Sequence, residues 1–103
     1  MYVIGIKRVK DINEEGVLYD LGVKGYYEYL RFDTGRSFYH EGLNRIPYHF
    51  DSIDKAMIFK TKDEAKNSFK NCLGILFYNK NLYDMSTLSI RQLISVGVED
   101  LTI

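Results

Sequence analysis

Thr61-Lys62-Asp63-Glu64 opens the stretch that most constrains what this chain can become. The Thr61 hydroxyl can accept from the Glu64 backbone while the Glu64 carboxylate reaches back, which is the reciprocal capping arrangement that starts a helix. Asp63 and Glu64 also sit at the positive end of the helix dipole. Behind them Ala65, Phe69, Cys72, Leu73 and Leu76 recur at helical spacing and form one apolar stripe. The spacing predicts an amphipathic helix over about 62–78, and that stripe must be buried against another layer.

The rest of the chain supplies that layer, because its apolar residues alternate with period two. In the opening run Tyr2, Ile4 and Ile6 share one face, and Val3, Gly5 and Lys7 the other, which predicts a strand over about 2–9. A polar connector over 11–16, a short strand over 17–21 and a turn bracketed by Gly22 and Gly25 follow. Next comes a hairpin with arms 26–33 and 37–40 about Asp33-Thr34-Gly35, in which Gly35 can take positive φ. In its first arm Tyr27, Tyr29 and Arg31 oppose Tyr26, Glu28, Leu30 and Phe32. The stretch 41–51 reads as a loop, because Pro47 discourages a central strand. Ser52 is read as the cap of a single helical turn, and 57–60 as a short extended piece. The tail is ambiguous between alternation through Leu88, Ile90, Ile94, Val96 and Val98 and a helix capped by Ser86. Extended structure is the expectation, with a short last strand near 100–103. The resulting fold class is α+β: a mainly antiparallel sheet with one principal amphipathic helix packed on one face. The expected core is Ile4, Ile6, Leu30, Phe32, Phe59, Ala65, Phe69, Cys72, Leu73 and Leu76.

Composition limits the function classes. A length of 103 residues predicts one small domain over 1–103. Cys72 is the only cysteine, which excludes an internal disulfide and a multi-thiolate zinc site. No apolar run approaches the roughly 20 residues that span a bilayer, and the N-terminus lacks a signal-peptide layout, so a cytoplasmic protein with no membrane partner is expected. His40 and His49, with Glu41 and Asp51 nearby, match no metal-ligand spacing, so no metal or other cofactor is expected. Cys72 on the apolar stripe reads as core, and no serine sits in a nucleophile elbow or beside a phosphate-cradling loop. The expectation is a protein that binds rather than catalyses, with no catalytic residues.

Two binding surfaces can be drawn from the residues. The chain holds nine Tyr and six Phe but no Trp, and the segment 36–50 gathers aromatic residues and Arg around Pro47. Those types dominate the energetic centres of protein interfaces, so Tyr39, Arg45, Tyr48 and Phe50 are the candidate protein-binding residues. The partner would be another protein or a second copy closing a homodimer. The alternative is nucleic acid, with Lys62, Lys66 and Lys70 as a lysine stripe and Tyr27, Tyr29 and Arg31 as a base-stacking sheet. Against it stands a formal net charge of zero, where a nucleic-acid domain shows a dominant basic footprint. The neutral total conceals asymmetry: residues 52–80 hold six Lys against Asp54, Asp63 and Glu64, and the last 23 hold three acids against Arg91.

The run S-I-D-K-A-M-I-F-K-T-K-D-E-A over 52–65 resembles a pattern of small accessory proteins of phages and mobile elements in Firmicutes-like bacteria. Ser52, Ala56, Phe59, Lys60, Thr61, Lys62, Glu64 and Ala65 are the matching positions. The resemblance implies a non-enzymatic accessory factor, in some cases an inhibitor of a host defence or replication enzyme, whose partner is a host or phage protein. It covers a turn, a short strand and a helix start, and it carries no catalytic residue over.

Overall fold

A computed structural model describes residues 1–32, 48–94 and 97–100. Its main sheet has five strands, all pairs antiparallel: β1 (Tyr2–Arg8), β4 (Tyr26–Phe32), β5 (Tyr48–Asp51), β6 (Tyr83–Ile94) and β7 (Gly97–Asp100), in the order β5-β4-β1-β6-β7. A separate two-stranded ribbon pairs β2 (Lys10–Ile12) with β3 (Leu18–Asp20). The helical layer is α1 (Lys62–Asn67) and α2 (Lys70–Asn79). The α+β expectation is met. The expected strand over 2–9 is β1, and the tail is extended through β6 and β7; of the short last strand expected near 100–103, residues 101–103 lie outside the described residues. The expected arm 37–40 lies outside the described residues.

Strand β1 explains the sheet's stability. Val3, Ile4, Gly5 and Ile6 are all buried: β1 lies between β4 and β6, Ile4 and Ile6 belong to the core, and the Arg91 and Tyr29 side chains lie against Gly5 on the other face. Ile4, Ile6, Leu30, Phe50 and Ile90 point to the helical layer, where they join Phe59, Ala65, Cys72, Leu76 and Tyr83 in one core. Beyond Gly5 the β1–β4 ladder ends, and the segment after the 3₁₀ turn Ile53–Lys55 takes over there. Met57 N–H donates to the Leu30 carbonyl (2.8 Å), and Tyr2 and Phe59 exchange backbone hydrogen bonds (2.7 and 2.8 Å). The expected extended piece at 57–60 is thus a single bridge rather than a strand.

The β1–β6 register shifts between Gly5 and Lys7. Thr87 accommodates the shift: its Oγ1 accepts from Lys7 N–H (2.8 Å) and donates to the Asp84 carbonyl (2.6 Å). Asp84 Oδ1 accepts from the Ser86 N–H (3.1 Å) and hydroxyl (2.6 Å), so side chains close the bulge.

The capping box forms with one change. Glu64 N–H donates to Thr61 Oγ1 (3.2 Å), and the Glu64 carboxylate accepts from Lys60 N–H (3.1 Å), one residue further back than the expected partner. Ser52 makes no side-chain cap to its 3₁₀ turn; its hydroxyl bonds Asp54 instead (2.5 Å).

The single helix expected over 62–78 is interrupted at Ser68-Phe69. Three-residue hydrogen bonds (Phe69 to Lys66, Asn71 to Ser68, Cys72 to Phe69) tighten the chain there. A 3₁₀ step turns about 120° rather than 100°, so a three-residue link advances the following face by roughly 60°. Cys72 and Leu76 stay buried, but Leu73, expected inside, is 65% exposed, and Phe69 is only partly buried against the core. Phe32, also expected inside, is 48% exposed at the end of β4, where its ring meets Tyr48 edge-on. The loop expected over 41–51 is corrected at its end, since Tyr48–Asp51 is strand β5. Among the described residues it is an edge strand, paired with β4 alone.

Candidate functional site

The candidate surface grows from the alternation of β1, β4 and β6. Residues opposite the core face are Val3, Gly5 and Lys7 on β1, Tyr27, Tyr29 and Arg31 on β4, and Ser89 and Arg91 on β6, placed side by side by the registers Gly5–Tyr29, Lys7–Tyr27, Val3–Arg91 and Gly5–Ser89. Gly5 makes the arrangement possible. A Cβ there would stand 2.9 Å from Arg91 Cδ and 3.1 Å from Tyr29 Cε1, so only glycine lets both side chains cross β1. The Arg91 guanidinium lies 3.8 Å from the Tyr27 ring centroid. Its Nε and Nη1 are buried with no hydrogen-bond partner among the described residues, so the ring face is what meets the cation. Burial raises the Tyr29 hydroxyl above the ordinary tyrosine pKa, against the opposing pull of Arg91.

At the β5 side of this face, Arg31 Nη1 donates to Asp51 Oδ2 (2.8 Å), and His49 Nε2 lies 3.6 Å from the same oxygen. Asp51 is held below the usual carboxylate range, first by the Ser52 N–H on its other oxygen (2.8 Å), then by Arg31, against some desolvation.

A second polar cluster lies on the core side. Glu28 is buried, and its Oε1 accepts from the Tyr83 hydroxyl (2.9 Å) and from Arg8 Nη1 (3.2 Å). Arg8 continues to Asp11 Oδ1 (2.9 Å) and the Lys10 carbonyl (3.2 Å). Burial opposes the Arg8 charge, but the hydrogen bond and charge of Glu28 outweigh it and hold its pKa up. The Tyr83 hydroxyl is pushed well above the ordinary tyrosine value by burial and then by the Glu28 charge, so it donates as a neutral phenol. Glu28 and Tyr83 are the buried centre of this cluster, and Arg8 and Asp11 are its partly exposed edge. Cys72 is buried too, its thiol pushed up to about 12 by desolvation. Among the described residues, no three His, Cys, Asp or Glu side chains converge as metal ligands.

The residues singled out in the sequence divide as follows. Tyr39 and Arg45 lie outside the described residues, as do His40 and Glu41. Tyr48 is half-buried against Phe32. Phe50, expected on an exposed loop, is instead 6% exposed in the core, where it packs on Tyr83 at a centroid distance of 5.3 Å. Tyr27, Tyr29 and Arg31 do share a face. Lys62, Lys66 and Lys70 are exposed on the helical layer, across the sheet from those tyrosines, and the break at Ser68-Phe69 interrupts their stripe. The two halves of the nucleic-acid alternative therefore do not form one surface. Sequence reasoning missed Arg91 and Glu28 as organising residues. Glu28 had a signal, a lone carboxylate between Tyr26 and Leu30 on an apolar strand face; Arg91 had none until its cross-strand partners were known. Among the described residues no helix is long and apolar enough to cross a membrane. Compared with protein-family models, curated proteins and solved structures, the chain has no match.

Proposed function

We propose that this chain is a non-enzymatic, cytoplasmic accessory factor that acts by binding another protein through the β4–β1–β6 face. The observation that carries the reading is the Arg91–Tyr27 stack beside Tyr29, set on the central strands of the sheet. Aromatic residues and Arg are the types that supply binding energy at interface centres, and side chains already ordered lose less entropy on association. The resemblance over 52–65 supports the phage or mobile-element setting, and an inhibitor of a host defence or replication enzyme is the concrete form to test first.

The test is capture from bacterial lysate by the parent chain, by Tyr27→Ala and by Arg91→Ala, with and without nuclease. The reading expects a protein that is retained after nuclease and lost with either variant, both variants staying folded by circular dichroism. Capture that disappears with nuclease and weakens steeply with salt would replace it with nucleic-acid binding.

A further inference from the structure

Arg8, Arg31 and Arg91, the arginines among the described residues, are matched unequally. Arg8 meets Glu28 and Asp11, and Arg31 meets Asp51. Among the described residues no carboxylate lies within ion-pair distance of Arg91. Asp100 stands opposite Arg91 in the β6–β7 register, but the arginine runs the other way, over Gly5 and onto the Tyr27 ring. The ring face meets this partly buried cation, though more weakly than a carboxylate would. Lys7 repeats the pattern. It lies opposite Tyr27 in the β1–β4 register, and its stem comes within 3.1 Å of where a Cβ on Gly25 would stand. Asp84, its register partner on β6, turns Oδ1 onto Ser86 instead. Tyr27 is thus flanked by two positioned cations, and neither has its anion among the described residues.

The surroundings decide what kind of anion fits. Ile58, one residue from the core residue Phe59 in the piece that pairs with Tyr2, is 57% exposed, and Val3, Gly5 and Ser89 bring no charge to the face. Two uncompensated cations bordered by Asp84 make a poor track for a phosphate chain, whose binding draws on many cations along its length. A lone carboxylate among apolar residues, by contrast, meets both cations at once and lays the rest of its segment on ring and aliphatic surface. We infer that the protein bound by this face presents an Asp or Glu side chain, set among apolar residues, to the Arg91 guanidinium and the Lys7 ammonium beside Tyr27. The inference rests on the proposed role of the β4–β1–β6 face as a protein-binding surface and names the chemistry that surface recognises.

The experiment is selection of a library of random peptides, about 12 residues long, on the parent chain. Selected peptides should share an Asp or Glu beside aromatic or aliphatic residues. Synthetic copies should bind the parent about tenfold or more tighter than they bind Arg91→Ala or Lys7→Glu. Replacing the selected acid by Asn or Gln should weaken binding to the parent by a similar factor and change binding to Arg91→Ala little, because one contact is then missing from both sides. That peptide change needs no variant to fold, and circular dichroism checks the variants. Lys80→Glu, a charge reversal at the end of α2 on the opposite side of the sheet, should bind like the parent. Peptides that need Tyr27 but no acid, or whose acid is indifferent to Arg91 and Lys7, overturn the carboxylate while the face stands as a binding surface. Selection that yields no peptide lost with Tyr27→Ala overturns both readings. An oligo-dT of about 20 nucleotides that binds tighter than any peptide, with an affinity falling steeply with salt, overturns them in favour of nucleic acid.

Discussion

Replacing Tyr83 with Phe isolates one buried hydrogen bond without disturbing the core around it. The ring stays and keeps its contact with Phe50 at 5.3 Å and its place under the Arg8 guanidinium at 5.9 Å. What disappears is the hydroxyl that donates to Glu28 Oε1 at 2.9 Å. Both partners are more than nine-tenths buried, so water does not readily replace the donor. A hydrogen bond to a charged acceptor contributes roughly 1.5–3 kcal/mol, and Arg8 remains on the same oxygen, so the loss should be about 2 kcal/mol. Urea denaturation at neutral pH should show a lower midpoint with an unchanged slope. The pH dependence gives a second reading of the same bond. The Tyr83 pKa is raised in the folded chain, so its stabilising share is complete below the unfolded value of about 10 and is lost as pH rises from there toward the folded value. The parent should lose stability in that alkaline range, and Tyr83→Phe should lose less of it. A variant within about 0.5 kcal/mol of the parent, the size of an ordinary surface change, together with an unchanged alkaline limb, would refute the account of Glu28 as a carboxylate held by Tyr83 and Arg8.

Gly5→Ala should destabilise by roughly 1–3 kcal/mol, because its methyl meets Arg91 and Tyr29 and overpacks the face. The cost should shrink when Arg91→Ala is added, so additive effects in a double-mutant cycle would remove the close-approach argument. Cys72 should resist a thiol-alkylating reagent at pH 8 in the native chain and react fully in urea, since burial pushes its thiol up to about 12. Rapid alkylation of the folded protein would place Cys72 outside the core.

Local signals made much of the architecture legible. Thr61 and Glu64 cap a helix start through hydrogen bonds between residues three and four apart, which need no distant partner to be foreseen. The alternation in β1 and β4 likewise assigned Ile4, Ile6 and Leu30 to the core and Tyr27, Tyr29 and Arg31 to the other face, because side-chain direction follows from strand geometry alone. Leu73 failed that logic because a 3₁₀ link changes the phase of everything after it, and the sequence carries no proline or glycine at Ser68-Phe69 to announce the break. Phe50 read as a loop aromatic until β5 paired with β4 and turned it onto Tyr83. Arg91 sits 64 residues from Tyr27 in the chain, and only the sheet order β4-β1-β6, with glycine at position 5 between them, lays the guanidinium on the ring. Capping and alternation are decided within a few residues, whereas strand order, helix phase and cross-strand stacking depend on which distant segments share a core, and that is settled only when the whole chain has folded.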